Sequence, residues 1–214
     1  MLKEHKLYAK RSKCVFAVDK VEYLGYTISA AGVETDSTKI QAVLHWPVPK
    51  TVTELRGYLG FTGYYRKHVK NYSIIAKPLT NLLKQKSFAW IDDSEQAFHN
   101  LKQALVSAPV LALPDFSLPF CLETDACGTG IGAVLSQNGH PIAYLSKALG
   151  EQNQRLSIYE KEFLAIMLTV AKWRPYLQNG PFVIKTDHKS LCYLENQVLG
   201  SDLQKKAMTK LIGL

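Results

Sequence analysis

Phe120-Cys121-Leu122-Glu123-Thr124-Asp125 and Phe182-Val183-Ile184-Lys185-Thr186-Asp187 are the two stretches on which the fold turns. Each reads as a strand, and each ends in Thr-Asp. Laid parallel and adjacent, they bring both aspartates out at one edge, where open α/β sheets place their ligands. Two carboxylates that close cannot both ionise cheaply without a cation beside them. Mg²⁺ is the natural partner of such hard oxygen donors.

Between these strands the pattern supplies three more elements. Residues 131–136 and 141–146 read as strands joined around Asn138-Gly139, a hairpin signal. Residues 157–177 form the strongest predicted helix. Ser157 and Glu160 have capping-box spacing, and Phe163, Ile166, Val170, Trp173 and Leu177 recur at threes and fours. The helix offers a third acid. Glu160 is occupied by the box, whereas Glu162 falls on the stripe that faces the sheet, where an acid has no packing role and points to function. Asp125, Glu162 and Asp187 are therefore candidate catalytic residues and ligands for two Mg²⁺ ions about 4 Å apart, a site for phosphodiester hydrolysis. Spacing alone is equally consistent with two turn aspartates and a surface glutamate. Predicted helices over 188–195 and 201–211 complete a mixed α/β layout.

Upstream the pattern is different. Residues 1–18 look like a basic helix, and 21–29 read as strand, turn, strand, broken at Gly25 and ended at Ala31-Gly32. Thr35-Asp36-Ser37 predicts a cap for a helix through Leu44. Trp46-Pro47-Val48-Pro49 must be extended. Residues 51–69 read as a helix opened by a Thr51/Glu54 capping box. It carries Gly57, Gly60 and Gly63, at roughly 1 kcal/mol each against Ala. Close helix packing or close approach of a duplex would account for them. Helices follow over 73–83 and 94–106, the latter entered at Asp92-Asp93-Ser94 with Ser94 or an Asp as its cap. Three prolines between Ala108 and Pro119 mark a linker. Gly128-Thr129-Gly130-Ile131-Gly132 precedes a strand rather than opening a helix, so it reads as a hairpin turn and not a phosphate loop.

The 214 residues are 47% apolar, enough for one large or two small domains. Net charge is +8, and residues 1–110 hold sixteen basic residues against nine acidic. Between 47 and 86, Lys50, Arg56, Arg66, Lys67, Lys70, Lys77, Lys84 and Lys86 face only Glu54, with Tyr58, Phe61, Tyr64, Tyr65 and Tyr72 among them. Cations for phosphates and rings for bases or sugars point to nucleic acid. The four cysteines lack CxxC spacing and the histidines form no ligand pair, so no thiolate or imidazole metal site is expected. No apolar run approaches the roughly 18 residues of a membrane span, and the first residues lack a signal-peptide core. The expected setting is intracellular, cytoplasm or nucleus.

The ordered stretches Tyr23-Leu24-Gly25-Tyr26, Trp46-Pro47-Val48-Pro49, Leu59-Gly60, Gly63-Tyr64-Tyr65-Arg66-Lys67, Ala76-Lys77-Pro78-Leu79-Thr80, Leu122-Glu123-Thr124-Asp125-Ala126, Tyr159-Glu160-Lys161-Glu162 and Thr186-Asp187-His188-Lys189-Ser190-Leu191 resemble the Pol polyprotein of Ty3/gypsy-type retrotransposons. The resemblance spans essentially the whole chain. It implies the end of a reverse transcriptase palm with its primer-grip hairpin over 1–45, thumb and connection helices over 46–107, a linker over 108–118, and an RNase H-like domain over 119–214. It also implies roles. Leu24, Gly25 and Tyr26 would hold the primer end, and Arg56, Gly60 and Tyr64 would follow the minor groove of a template–primer duplex, with Arg66 and Lys67 beside them. Asp125, Glu162 and Asp187 would hold two Mg²⁺, Asp125 being shared. The implied substrate is the RNA strand of an RNA–DNA hybrid, sensed through 2′-hydroxyls and shape, and the implied partner is the rest of the Pol polyprotein. Cys127 stands where the family usually has Ser. The aromatic-x-Asp-Asp polymerase motif is absent. The chain is expected to stop inside an RNase H helix, before the element with a fourth aspartate. A catalytically inactive nucleic-acid-binding remnant is the alternative, and nothing in the sequence favours a host-recruited interaction protein.

Overall fold

The computed structural model describes residues 14–178 and 180–188, with 4–6, 8–10, 12 and 191. The helices expected over 188–195 and 201–211 lie almost wholly outside these residues. Of the basic helix expected over 1–18, the described residues 4–6, 8–10 and 14–18 form none.

The first half begins with a three-stranded antiparallel sheet, β1 (Lys20–Tyr23), β2 (Tyr26–Ser29) and β3 (Gly32–Thr35). Leu24 and Gly25 both take positive φ, 50° and 78°, as a two-residue hairpin turn requires. The third strand was not expected, because Ala31-Gly32 reads as a stop. Gly32 instead sits at φ 129°, and a Cβ there would lie 2.2 Å from the Leu111 carbonyl oxygen, so the close approach of two backbones selects glycine. Leu111 and Val33 exchange hydrogen bonds of 2.7 and 2.9 Å, which ties the proline-rich stretch to this sheet.

Helix α1 (Ser37–Leu44) is capped by Asp36, which accepts from the Thr38 N–H, and α2 (Val52–Tyr64) by Thr51, which accepts from the Glu54 N–H. The expected Thr51/Glu54 box is only half formed, because Glu54 accepts from the Lys50 N–H instead. A 3-10 turn at Arg66–His68 follows, then α3 (Tyr72–Ile75), α4 (Lys77–Leu82) and α5 (Asp92–Val106). Helix α5 starts without a side-chain cap, and Ser94 is buried rather than capping. Asp92, Asp93 and Glu95 instead place three acids at the positive end of the helix dipole. Leu55 and Tyr58 of α2 pack on Phe98 and Leu101 of α5, with the Tyr58 and Phe98 rings 4.6 Å apart.

The second half is a four-stranded mixed sheet in the order β6-β5-β4-β7, from β4 (Phe120–Ala126), β5 (Gly130–Gln137), β6 (His140–Ala148) and β7 (Phe182–Lys185). Strands β4 and β7 are parallel, Phe120 opposite Phe182 and Glu123 opposite Lys185. The other pairs are antiparallel, with Asn138-Gly139 turning β5 into β6 at positive φ. Short α6 (Glu151–Gln154) precedes α7 (Ile158–Leu177), whose Ser157/Glu160 capping box is complete. Phe163, Ile166, Val170, Trp173 and Leu177 lie on Leu122, Leu135 and Ala143 of the sheet. The fold class is thus mixed α/β, as expected. No helix of the described residues is long and apolar enough to cross a membrane.

The two halves are bonded to each other. The Ser73 N–H donates to Ser146 Oγ at 2.7 Å, and Ser73 Oγ donates to the Ser146 carbonyl at 2.9 Å. Asn71 fits against Gly132, where a Cβ would meet its Oδ1 at 2.8 Å.

Candidate metal centre and nucleic-acid face

The parallel register of β4 and β7 carries Asp125 and Asp187 to the same edge, and α7 delivers Glu162 to them from its second turn. One carboxylate oxygen from each lies within 4.8 Å of the others. Asp125 and Asp187 are exposed, whereas Glu162 is only 2% exposed. The Ala126 N–H donates to Glu162 Oε1 at 2.8 Å, which fixes the carboxylate. Its Oε2 is buried without a hydrogen-bond partner among the described residues. Burial pushes the Glu162 pKa above the ordinary glutamate value; the Ala126 bond works against this, and the charges of Asp187 and Asp125 add to the rise. Such a constellation wants positive charge: an orphaned buried oxygen and two exposed carboxylates converge on one point. Three hard oxygen donors on rigid elements fit a divalent ion such as Mg²⁺. His188, next in chain to Asp187, sets its ring 5.5 Å from Tyr159 of α7, and its Nδ1 is buried. A lone histidine carries no spacing signal in the sequence; its adjacency to Asp187 is the available clue.

The nucleic-acid candidates gather on the first half of the chain, on the β1–β2 hairpin and α2. Arg56, Gly60 and Tyr64 are exposed along one stripe of α2, with Arg66 and Lys67 exposed just beyond. Tyr64 Oη donates to the Leu24 carbonyl at 2.8 Å, so the hairpin tip and the helix stripe form one surface. Leu24 is 67% exposed at that tip and Gly25 half-buried. Tyr26 is different: it is buried, stacked on Tyr64 at 5.4 Å and on His68 at 5.2 Å, and it donates to the Tyr64 carbonyl. It positions the hairpin rather than presenting a ring to solvent. The Lys67 ammonium lies 4.2 Å over that ring, and burial lowers its pKa. A side chain at Gly60 would meet nothing within 4 Å, so tight helix packing does not explain this glycine.

Over 197 residues the chain is 39% identical to the retrovirus-related Pol polyprotein from transposon 297 of Drosophila melanogaster, which covers 91% of this chain and 19% of that relative. It is 40% identical over 198 residues to the transposon Tf2-3 polyprotein of Schizosaccharomyces pombe, covering 89% of this chain and 15% of the relative. Residues 90–184 match the RNase H-like domain found in reverse transcriptase. Along about nine-tenths of its length, then, the chain is similar to retrotransposon Pol polyproteins. The chain spans 19% and 15% of the length of these two relatives. Its fold is that of the foamy viral protease-reverse transcriptase in complex with double-stranded DNA, at a TM-score of 0.82 and 20% identity over 91% of this chain and 36% of the viral one. A foamy viral protease-reverse transcriptase in complex with an RNA/DNA hybrid matches at 0.78 and 21% identity, over 90% and 28%. The match to the RNase H-like domain contains Asp125 and Glu162 and ends three residues before Asp187.

Proposed function

We propose that this chain hydrolyses the RNA strand of an RNA–DNA hybrid at Asp125, Glu162 and Asp187, with two Mg²⁺ as cofactors. The observation that carries it is the convergence of three carboxylates within 4.8 Å around a buried, unpartnered Glu162 oxygen. In the same proposal residues 1–45 end a reverse transcriptase palm, 46–107 form thumb and connection, 108–118 link them to the RNase H-like domain at 119–214, and the remainder of the Pol polyprotein is a partner.

When bound, the two ions supply Lewis-acid charge and lower the pKa of water. The chain's residues do the rest. Asp125 would be a ligand held in common, at the end of β4, next in chain to Ala126, whose N–H anchors Glu162, with the parallel β7 alongside. Glu162 is held by the Ala126 N–H, so its free oxygen keeps its aim. Asp187 closes the set from the far side. The exposed stripe of Arg56, Gly60 and Tyr64, with Leu24 and Gly25 at the hairpin tip and Arg66 and Lys67 beyond, tracks the minor groove, where 2′-hydroxyls distinguish RNA. Bare backbone at Gly60 lets the duplex come close.

Two expectations follow from this assignment. Added Mg²⁺ raises the melting temperature of the chain in proportion to the logarithm of its concentration above Kd, and Asp187→Asn removes the rise; an unmoved midpoint in the wild type contradicts metal binding. Gly60→Ala adds about 1 kcal/mol of stability, the ordinary helix-propensity gain where the new methyl meets open space, yet weakens hybrid binding. Denaturant midpoints and hybrid titrations check both signs, and unchanged hybrid affinity contradicts close approach at Gly60.

A further inference from the structure

A cleft of about 670 Å³ runs between the end of α2 and the outer edge of β6, closed at one end by the last turns of α7. Four cations line it: Arg66 and Lys67 from the 3-10 turn, Lys147 from β6 and Lys172 from α7. None of its lining residues is acidic. Among the described residues the ion pairs are Lys20–Glu34, His99–Glu95 and Lys185–Glu123, so these four cations have no acidic partner there. Tyr64, 51% exposed, and Tyr144 face the same space. The cations come from three distant parts of the chain, and the Ser73–Ser146 bonds hold those parts together. Like charges are gathered there at a cost in repulsion, which a polyanion relieves.

We propose that this cleft, which shares Tyr64, Arg66 and Lys67 with the duplex-facing surface and adds Tyr144, Lys147 and Lys172, binds single-stranded nucleic acid. Its volume lies in the range that encloses a small ligand, which suits a short run of single strand and is too confined for a duplex. Cations along a groove with aromatic walls are the pattern of single-strand binding, in which phosphates meet the charges and unstacked bases meet the rings. A duplex keeps its bases stacked and has no use for Tyr144. The cleft is also close to the metal centre. Asp125 is paired with Gly132 and Gly132 with Ser146, so the β6 wall lies two strands, roughly 10 Å, from Asp125 in the sheet. The inference rests on the nuclease assignment only for the source of the strand, a single-stranded segment flanking the hybrid.

The test uses the full chain, a labelled oligothymidylate and EDTA, so that no cleavage occurs. The expected result is salt-sensitive binding whose slope of log affinity against log salt becomes shallower by about 1.4 in the double variant Lys147→Gln/Lys172→Gln, about 0.7 for each lost phosphate contact. Hybrid affinity and Mg²⁺-dependent hybrid cleavage stay unchanged in that variant. An unchanged slope, an equal weakening of hybrid binding, or displacement of the oligonucleotide by oligoglutamate as readily as by unlabelled oligothymidylate overturns the inference. A chain that cleaves no hybrid but shows the lysine-dependent slope upholds it and defeats the nuclease assignment instead.

Discussion

Glu162→Gln is expected to raise the melting temperature of the metal-free chain at neutral pH by several degrees while lowering hybrid cleavage at least about a thousandfold. Few substitutions should move stability and activity so far apart, and the reason is local. Glu162 is buried beside Asp125 and Asp187, its Oε1 takes the Ala126 N–H, and its Oε2 has no donor among the described residues. Gln keeps the first bond and replaces the second oxygen with an N–H₂ that can donate to either aspartate. Relieving an unsatisfied buried polar group contributes on the order of 1–3 kcal/mol, and a chain of this size gains about 2–4 °C per kcal/mol. The sign with pH is fixed by the raised Glu162 pKa. From the ordinary value of 4.5 up to the raised folded value, the folded state holds a proton that the unfolded state has lost. Stability in wild type therefore falls as pH rises through that window. Glu162→Gln has no such fall. The loss of activity follows from removing charge from a metal ligand: several kcal/mol of transition-state stabilisation is a factor of ten for each 1.36 kcal/mol. Thermal scans across pH, with and without Mg²⁺, check the first half, and a lower midpoint for Glu162→Gln at neutral pH contradicts it.

The second large effect belongs to His68, which is not part of the acidic cluster. Its ring is fully buried and stacked on Tyr26, and neither nitrogen has a hydrogen bond of good geometry among the described residues, although the Pro109 carbonyl lies near enough to favour its proton. Burial lowers its pKa from 6.5 to about 4; the charge of Lys67 adds to the fall, and the Pro109 carbonyl opposes it. The unfolded chain thus takes up this proton first. The contribution of neutral His68 is intact above pH 6.5 and is lost as pH falls to about 4. The loss is about 3 kcal/mol over that span, at 1.36 kcal/mol per unit, or about 10 °C in melting temperature. Glu162 titrates in the opposite sense over part of the range, so the wild-type curve is the difference of the two. His68→Phe keeps a ring for Tyr26 and removes the proton site, and denaturant midpoints between pH 6.5 and 4 should then lose the acid-side drop. Asp36, Glu95, Asp115 and Glu160 do not confuse the comparison. Hydrogen bonds from Thr38, Trp90, Ser117 and Ser157 hold their pKa values below 3.8 or 4.5, so their losses set in as pH falls toward those values and are shared by wild type and His68→Phe. An equal drop in His68→Phe contradicts the assignment.

Much of the fold was legible because it is written in local patterns. The 3.6-residue stripe and capping box of α7, the Asn138-Gly139 turn and the Asp36 cap each involve residues a few positions apart. The matched Thr-Asp strand ends also foretold the parallel β4–β7 pair, because their sequences align in the register that the sheet adopts. What the sequence hid depends on distant partners. Strand β3 is completed by Leu111, nearly eighty positions away, and Gly32 looks like a terminator until that backbone approach is known. The box at Thr51 is only half formed because the Glu54 carboxylate accepts from the Lys50 N–H instead of the Thr51 N–H. Tyr26, grouped by sequence with Leu24 and Gly25, turns inward because β2 alternates and its even face meets Tyr64 and His68. For the candidate site, Glu162 stood out as an acid on an apolar stripe, whereas the basic cleft did not stand out at all. Arg66, Lys67, Lys147 and Lys172 become neighbours only when the halves close through Ser73 and Ser146.

Cleavage of an RNA–DNA hybrid labelled at the RNA end, by the wild-type chain and by Asp125→Asn, tests the central claim most directly. Asp125 is exposed, so its substitution leaves the fold in place. The predicted result is Mg²⁺-dependent cutting of the RNA strand by the wild type and a loss of at least about a thousandfold in Asp125→Asn. Intact RNA with the wild type, or equal cutting by both, would contradict a metal centre built from Asp125, Glu162 and Asp187.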